Sequence, residues 1–217
     1  MSKKYILFDL DGTLTDPMVG ITRSVQYALR SYGIDEPDLQ KLIPFIGPPL
    51  KESFMEFYDF PEEQATEAID RYREYFTDGG MFENKVYEGI PEMLDRLQKA
   101  GKVLLVATSK PEKFARMILE HFHLDGYFEF VGGATMDEKR VKKGEVIQYV
   151  MDQVGISDVD QTVMVGDREH DVWGAAENQM ECIGVLFGYG SREALEEAGA
   201  SHIVATVEEL KEYLLGI

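Results

Sequence analysis

One cysteine in 217 residues excludes an internal disulfide, and its place in the apolar run ECIGVLF reads Cys182 as a small buried hydrophobe in a protein of a reducing compartment. Positive charge is also scarce. Only 22 Lys and Arg stand against 40 Asp and Glu, a formal charge of −18, which argues against nucleic acid or an anionic membrane surface as a partner. An anionic ligand would have to be drawn in by local positive charge. No apolar run approaches the roughly 20 residues of a membrane span. The N-terminal MSKKYILF is interrupted by Asp9 before it reaches the length of a signal-peptide core, so a soluble cytoplasmic protein is expected. Internal repeats and low-complexity segments are missing too. What is present is 44% apolar and 11% aromatic content, enough for one large domain or a domain with a sizeable insertion.

The most informative stretch is Tyr5 to Asp16, YILFDLDGTLTD. Tyr5 to Phe8 read as a strand covered on both faces and Gly12 to Thr15 as the turn leaving it, which puts Asp9 and Asp11 at the strand's C-terminal end. Alternate residues of a strand point the same way, so the two carboxylates repel unless a cation or a shared proton intervenes. A divalent metal resolves the conflict.

Asp16 and Pro17 read as the start of a helix carrying Ile21, Val25, Ala28, Leu29 and Tyr32 inward, ending at Gly33. Pro37, Pro44, Pro48 and Pro49 then allow only a short helix around Leu39 to Ile43. Two helical stripes follow, Leu50, Phe54 and Phe57, then Ala65, Ile69, Tyr72 and Phe76, closed by Gly79 and Gly80. Residues 16 to about 85 thus predict no strand, whereas from Val86 strands and helices alternate. A βαβ crossover does not need about 70 residues, so a helical cap is expected at residues 15–85, inserted in an α/β core of residues 1–14 and 86–217. The cap's two connections read as hinges.

In the core, VLLVAT (Val103 to Thr108) is an apolar strand ending at Thr108, Ser109 and Lys110, and TVMVGD (Thr162 to Asp167) ends in another carboxylate with Asp171 one helical turn on. Polar groups therefore collect at the C-terminal ends of three strands, where open α/β sheets bind ligands. Lys139, Arg140, Lys142 and Lys143 directly precede a helix with Val146, Ile147 and Val150 inward. Cations there oppose the helix dipole at roughly 0.3–1 kcal/mol each, a motive to look for an anion.

DLDGTLTD resembles the nucleophile motif of the haloacid-dehalogenase-like phosphohydrolases. TSKP resembles their second motif, KKGEVI their third and VGDREHDVWGA their acidic fourth, in the family's order over residues 5 to 178, while IGVLFGYG resembles the phosphoglycolate-phosphatase-like branch. The resemblance implies a doubly wound, mostly parallel α/β sheet with a helical cap. It implies Asp9 as nucleophile and Asp11 as general acid and base. Thr108, Ser109, Gly12 and Lys143, with Lys142 as the alternative register, would bind the phosphoryl group. Mg²⁺ would be held by Asp9, the Asp11 carbonyl, Asp167 and Asp171; carboxylates without a nearby His or Cys suit such a hard cation. His170 is read as a surface or supporting residue, and the cap loop IGPPL as facing the substrate. The expected activity is hydrolysis of a small phosphomonoester, such as phosphoglycolate, a nucleoside monophosphate or a sugar phosphate, by a monomer or weak dimer. A phosphosugar mutase and a receiver-like binding module are the alternatives; Asp11 disfavours the module, which needs no acid beyond its acceptor.

Overall fold

The computed structural model describes residues 2–137 and 139–217. In chain order, β1 (Tyr5–Phe8) and β2 (Thr15–Asp16) precede α1 (Met18–Arg30), α2 (Leu50–Tyr58) and α3 (Glu62–Thr77). Then come β3 (Lys85–Val86), α4 (Ile90–Lys99), β4 (Val103–Pro111), α5 (Glu112–His121), β5 (Phe130–Ala134) and α6 (Lys143–Val154). The chain closes with β6 (Thr162–Gly166), α7 (Glu169–Glu177), β7 (Glu181–Val185), α8 (Arg192–Ala198), β8 (His202–Val204) and α9 (Val207–Gly216). It divides into two compact units, residues 1–16 with 86–217, and residues 17–85.

The first unit is a doubly wound sheet in the order β5-β4-β1-β6-β7-β8, parallel throughout. Each strand is a short apolar run because both of its faces are covered. Leu7, Leu105, Ala107, Met164 and Cys182 pack with Val146, Ile147 and Val150 of α6 and Val172 and Ala175 of α7. The alternating residues Ile6, Phe8, Leu104, Val106, Val163 and Val165 are buried as well. Full burial of side chains of this size contributes about 1.5–3 kcal/mol each, which makes β1 and its neighbours the rigid part of the unit. Burial also raises the thiol pKa of Cys182, as expected of an inert structural cysteine.

The sheet order is what builds the site. β1 lies between β4 and β6, with Phe8 opposite Val106 on one side and Val165 on the other, so the chain leaves all three strands at the same edge. β4 continues to Pro111, beyond the end at Thr108 that its apolar run suggests, with an irregular register against β5 between Thr108 and Pro111. α9 starts from Thr206, whose hydroxyl accepts from the Glu209 N–H, while the Glu209 carboxylate accepts from the Ala205 N–H, one residue before the donor of a reciprocal capping box.

The second unit, residues 17–85, is helical. The short helix expected around Leu39 to Ile43 is a longer 3-10 segment, Leu39–Phe45, with Pro44 inside it. Its core is aromatic: the Phe54 ring lies 5.0 Å from Phe45 and 5.8 Å from Phe60, and Tyr32 lies 5.0 Å from Phe60. Leu50, Phe54 and Phe57 read as one inward stripe, yet Phe54 is fully buried whereas Phe57 is 42% exposed. Phe57 stands at the edge of the aromatic cluster, touching Phe45 with its ring at 5.4 Å while its other side faces solvent. Gly79 takes φ +130° just past α3, and a side chain on Gly80 would meet the Tyr75 ring at 2.8 Å. Gly80 is therefore fixed by packing, which leaves Gly79 as the conformationally free member of the pair.

Phe54→Ala is expected to cost about 3–5 kcal/mol by the cavity it leaves, and Phe57→Ala no more than about 1 kcal/mol. Urea denaturation of the two variants measures the difference.

Candidate active site

β1 delivers Asp9 directly after its last buried residue, and Asp11 follows in the turn. Thr108 and Lys110 come from the end of β4, Asp167 from the residue after β6, and Lys143 and Asp171 from the first turns of α6 and α7. All seven side chains are buried. Ser109 is half-buried beside them.

Lys143 is the organising cation. Its ammonium donates to Asp9 Oδ1 at 2.7 Å and to the Ala107 carbonyl at 3.0 Å, and forms an ion pair with Asp171 Oδ1 at 2.8 Å, so two of its three N–H groups are engaged in hydrogen bonds. Burial works against its charge, but Asp171 and Asp9 outweigh that and hold its pKa above the ordinary lysine value. The basic run before α6 thus resolves residue by residue. Lys139 is exposed and pairs with Asp137 at 2.8 Å. Arg140 donates to the Gly133 carbonyl and lies 3.6 Å over the Tyr149 ring. Lys142 is exposed at the helix start, and Lys143 alone of the four enters the carboxylate cluster.

Asp167 is enclosed. Its Oδ2 accepts the Tyr189 N–H at 2.8 Å and its Oδ1 accepts from the Thr13 hydroxyl at 3.4 Å. Gly12, at φ +87°, passes so close that a side chain there would lie 2.3 Å from the Asp167 carboxylate. Only glycine combines that backbone conformation with that approach. Burial pushes Asp167 well above the usual carboxylate range, and Asp171 and Asp9 add to the rise. Asp171, whose Oδ2 caps the Arg168 N–H at 3.0 Å, is pushed up to about 6 by burial against the opposing pull of Lys143.

Asp9, Asp167 and Asp171 each bring an oxygen to within 4.8 Å of the others. With Asp11, four buried carboxylates face two buried ammonium groups, Lys110 and Lys143, a formal excess of two negative charges when all four are ionised. One divalent cation cancels that excess, and an all-oxygen donor set suits a hard ion. The carboxylate of Asp11 lies outside this triplet and pairs instead with Lys110 at 2.7 Å.

Two contributors were not singled out from the sequence. Lys110 stands two residues after Thr108, and the period of a strand was the available signal for a shared face. Tyr189 offers a main-chain N–H that no residue-type pattern reveals; its hydroxyl also donates to the Asp16 carboxylate. Asp16 itself lies in β2, and α1 starts after Pro17 with no side-chain cap. His170 is partly exposed, its ring 5.3 Å from Trp173. Among the described residues, no helix is long and apolar enough to cross a membrane.

The family model described as haloacid dehalogenase-like hydrolase matches residues 6–185. A 5'-nucleotidase of Pseudomonas aeruginosa is 49% identical over 96% of this chain and 94% of its own length. A Mycobacterium tuberculosis protein named tyrosine-protein kinase PtkA is 37% identical over 98% of this chain and 73% of its own. The crystal structure of a predicted phosphatase from Clostridium acetobutylicum superposes with a TM-score of 0.98 at 51% identity, covering both chains fully. Four motif segments folded onto one sheet edge, together with this match over most of the length, place the chain in the haloacid dehalogenase-like hydrolases, as a phosphatase of that family.

Proposed function

We propose that the protein hydrolyses small phosphomonoesters, nucleoside 5'-monophosphates foremost, through a phosphoryl group carried on Asp9. The observation that carries this reading is the Asp9 carboxylate itself, buried at the end of β1 with one oxygen held by Lys143 at 2.7 Å. A carboxylate fixed in this way is aimed, and its remaining oxygen is the nucleophile. The choice of nucleotides rests on the relative of 49% identity named 5'-nucleotidase.

In the first step an Asp9 oxygen attacks phosphorus while Asp11 gives its proton to the departing alcohol oxygen. Asp11 then takes a proton from the water that hydrolyses the acyl phosphate. Burial, exceeding the pull of Lys110, raises the pKa of Asp11, which suits a group that must hold a proton before it releases one. Lys143 and Thr108 offer donors to the phosphoryl oxygens, with Ser109 adding a main-chain N–H group, whereas the Gly12 N–H is already given to the Thr15 carbonyl at 2.7 Å. Asp9, Asp167, Asp171 and the Asp11 carbonyl would hold Mg²⁺, which when bound supplies positive charge to an otherwise anionic site.

The direct test is phosphate release from a panel of nucleoside monophosphates, phosphoglycolate, sugar phosphates and pyrophosphate with Mg²⁺. Nucleoside 5'-monophosphates are expected to give the highest kcat/KM, and Asp9→Asn to lower turnover to background with the fold intact by circular dichroism. Turnover surviving in Asp9→Asn would remove the proposed nucleophile.

Lys143→Ala is expected to lower kcat/KM by about 10²-fold or more, the scale of losing one positioned charge from a buried site. Lys142→Ala should change it less than about threefold, since an exposed charge is screened by water and salt. Steady-state kinetics of the pair decides whether the buried lysine or the exposed one serves the site.

Asp171, with a folded pKa of about 6 against 3.8 when free, binds protons more readily in the folded than in the unfolded chain. Its contribution to stability is present below about pH 4 and is lost as pH rises through about 6. Asp167 shifts in the same direction. Mg²⁺ should offset that loss, so the rise in Tm on adding it over chelator is expected to grow between pH 5 and pH 8. A rise independent of pH would mean that the cation binds elsewhere.

A further inference from the structure

Lys110 has no place in the mechanism above, yet the fold goes to some length to bury it. The register of β4 against β5 pairs Thr108 with Gly133 and then Pro111 with Ala134, so Ser109 and Lys110 form a bulge with no opposing residues. Bulges beside active sites re-aim a side chain. Here the Lys110 N–H folds back onto Thr108 Oγ1 at 3.2 Å, and the ammonium reaches Asp11 Oδ2 at 2.7 Å. The neighbouring strand makes room. A side chain on Gly133 would lie 2.6 Å from the Lys110 carbonyl oxygen and 2.7 Å from the Glu112 backbone, so the bulge requires glycine opposite it.

The pair itself is asymmetric. Lys110 holds Oδ2, whereas Oδ1 of Asp11 is buried and has no hydrogen-bond partner among the described residues. An unpartnered buried oxygen is costly unless it is used. We propose that Lys110 is the positioning residue of the general acid: by fixing one oxygen of Asp11 it sets the carboxyl rotamer and reserves Oδ1 for proton exchange with the ester oxygen. This rests on the phosphatase reading. In that step the Asp9–phosphorus bond forms as the phosphorus–oxygen bond to the alcohol breaks. The released electron pair on the alcohol oxygen takes the proton from Asp11 Oδ1, leaving the alcohol, the acyl phosphate and an Asp11 carboxylate still paired with Lys110.

A residue acting through the acid is needed only where the leaving group needs a proton. The kinetic constant kcat/KM for phosphoenzyme formation is therefore compared between a nucleoside 5'-monophosphate, whose alkoxide leaves poorly, and p-nitrophenyl phosphate, whose phenolate leaves without help. Lys110→Met is expected to lower kcat/KM for the alkyl ester by about 10²-fold, the lower end of what a general acid contributes, and for the aryl ester by less than about threefold. Lys110→Arg should restore part of the alkyl-ester activity. In an Asp11→Asn background Lys110→Met should change neither value further, because its effect passes through the missing acid. If Lys110→Met does not fold, Lys110→Gln, which keeps a donor, is put through the same comparison. Equal losses on both esters, or a full loss persisting without Asp11, would place Lys110 on the phosphoryl group or in the fold and overturn the inference. A wild-type protein inactive on both esters would instead overturn the phosphatase reading, and the inference with it.

Discussion

Four carboxylates and two ammonium groups share one buried edge of a parallel sheet, and much of the architecture follows from the difficulty of putting them there. Buried charges are tolerated only when paired and hydrogen-bonded, and each lysine meets that condition in its own way. Lys143 gives hydrogen bonds to Asp9 and a main-chain carbonyl and pairs its charge with Asp171. Lys110 is committed to Asp11. The two negative charges left over match one divalent cation and make the protein's negative total of −18 compatible with an anionic substrate, because the local field and not the global charge receives it.

The surrounding backbone is shaped to let these groups approach. Placing β1 between β4 and β6 brings three strand ends together without any long-range loop, so the positions of Asp9, Thr108 and Asp167 are inherited from strand pairing. Gly12 lets the turn after Asp11 lie against Asp167, and Gly188 does the same from the far side, where a side chain would come within 2.3 Å of the Gly12 carbonyl. The loop after β7 then closes over Asp167 through the Tyr189 N–H. Rigid elements carry the first contacts and glycine-lined loops complete them, the arrangement in which small displacements of a catalytic group are most strongly resisted.

Much of this was legible in the residues. The pair Asp9 and Asp11 announces a charge conflict, and the basic residues before α6 announce a missing anion, which proves to be Asp9 and Asp171. The apolar runs of β1, β4 and β6 give the strands because a sheet covered on both faces leaves no other reading. What was not legible depends on contacts distant in sequence. Lys110 is followed by a proline that reads as a helix start, and only the register against Gly133 shows the bulge that turns it inward. Phe57 shares the period of Phe54 but only edges the unit's aromatic core, its ring 5.4 Å from Phe45 and otherwise turned to solvent. Asp16 looks like a helix cap by position, yet its carboxylate accepts from Tyr189, 173 residues away.

Attack of an Asp9 oxygen on phosphorus is the central step, since the roles of Asp11, Lys143 and Lys110 are all defined by their distance from that event. Rapid mixing with a phosphorus-labelled nucleoside monophosphate, acid quenching within one turnover and peptide mapping by mass spectrometry would locate the covalent phosphoryl group. Label is expected on Asp9, released by base and lost in Asp9→Asn. Label on any other residue during productive turnover would contradict Asp9 as the nucleophile.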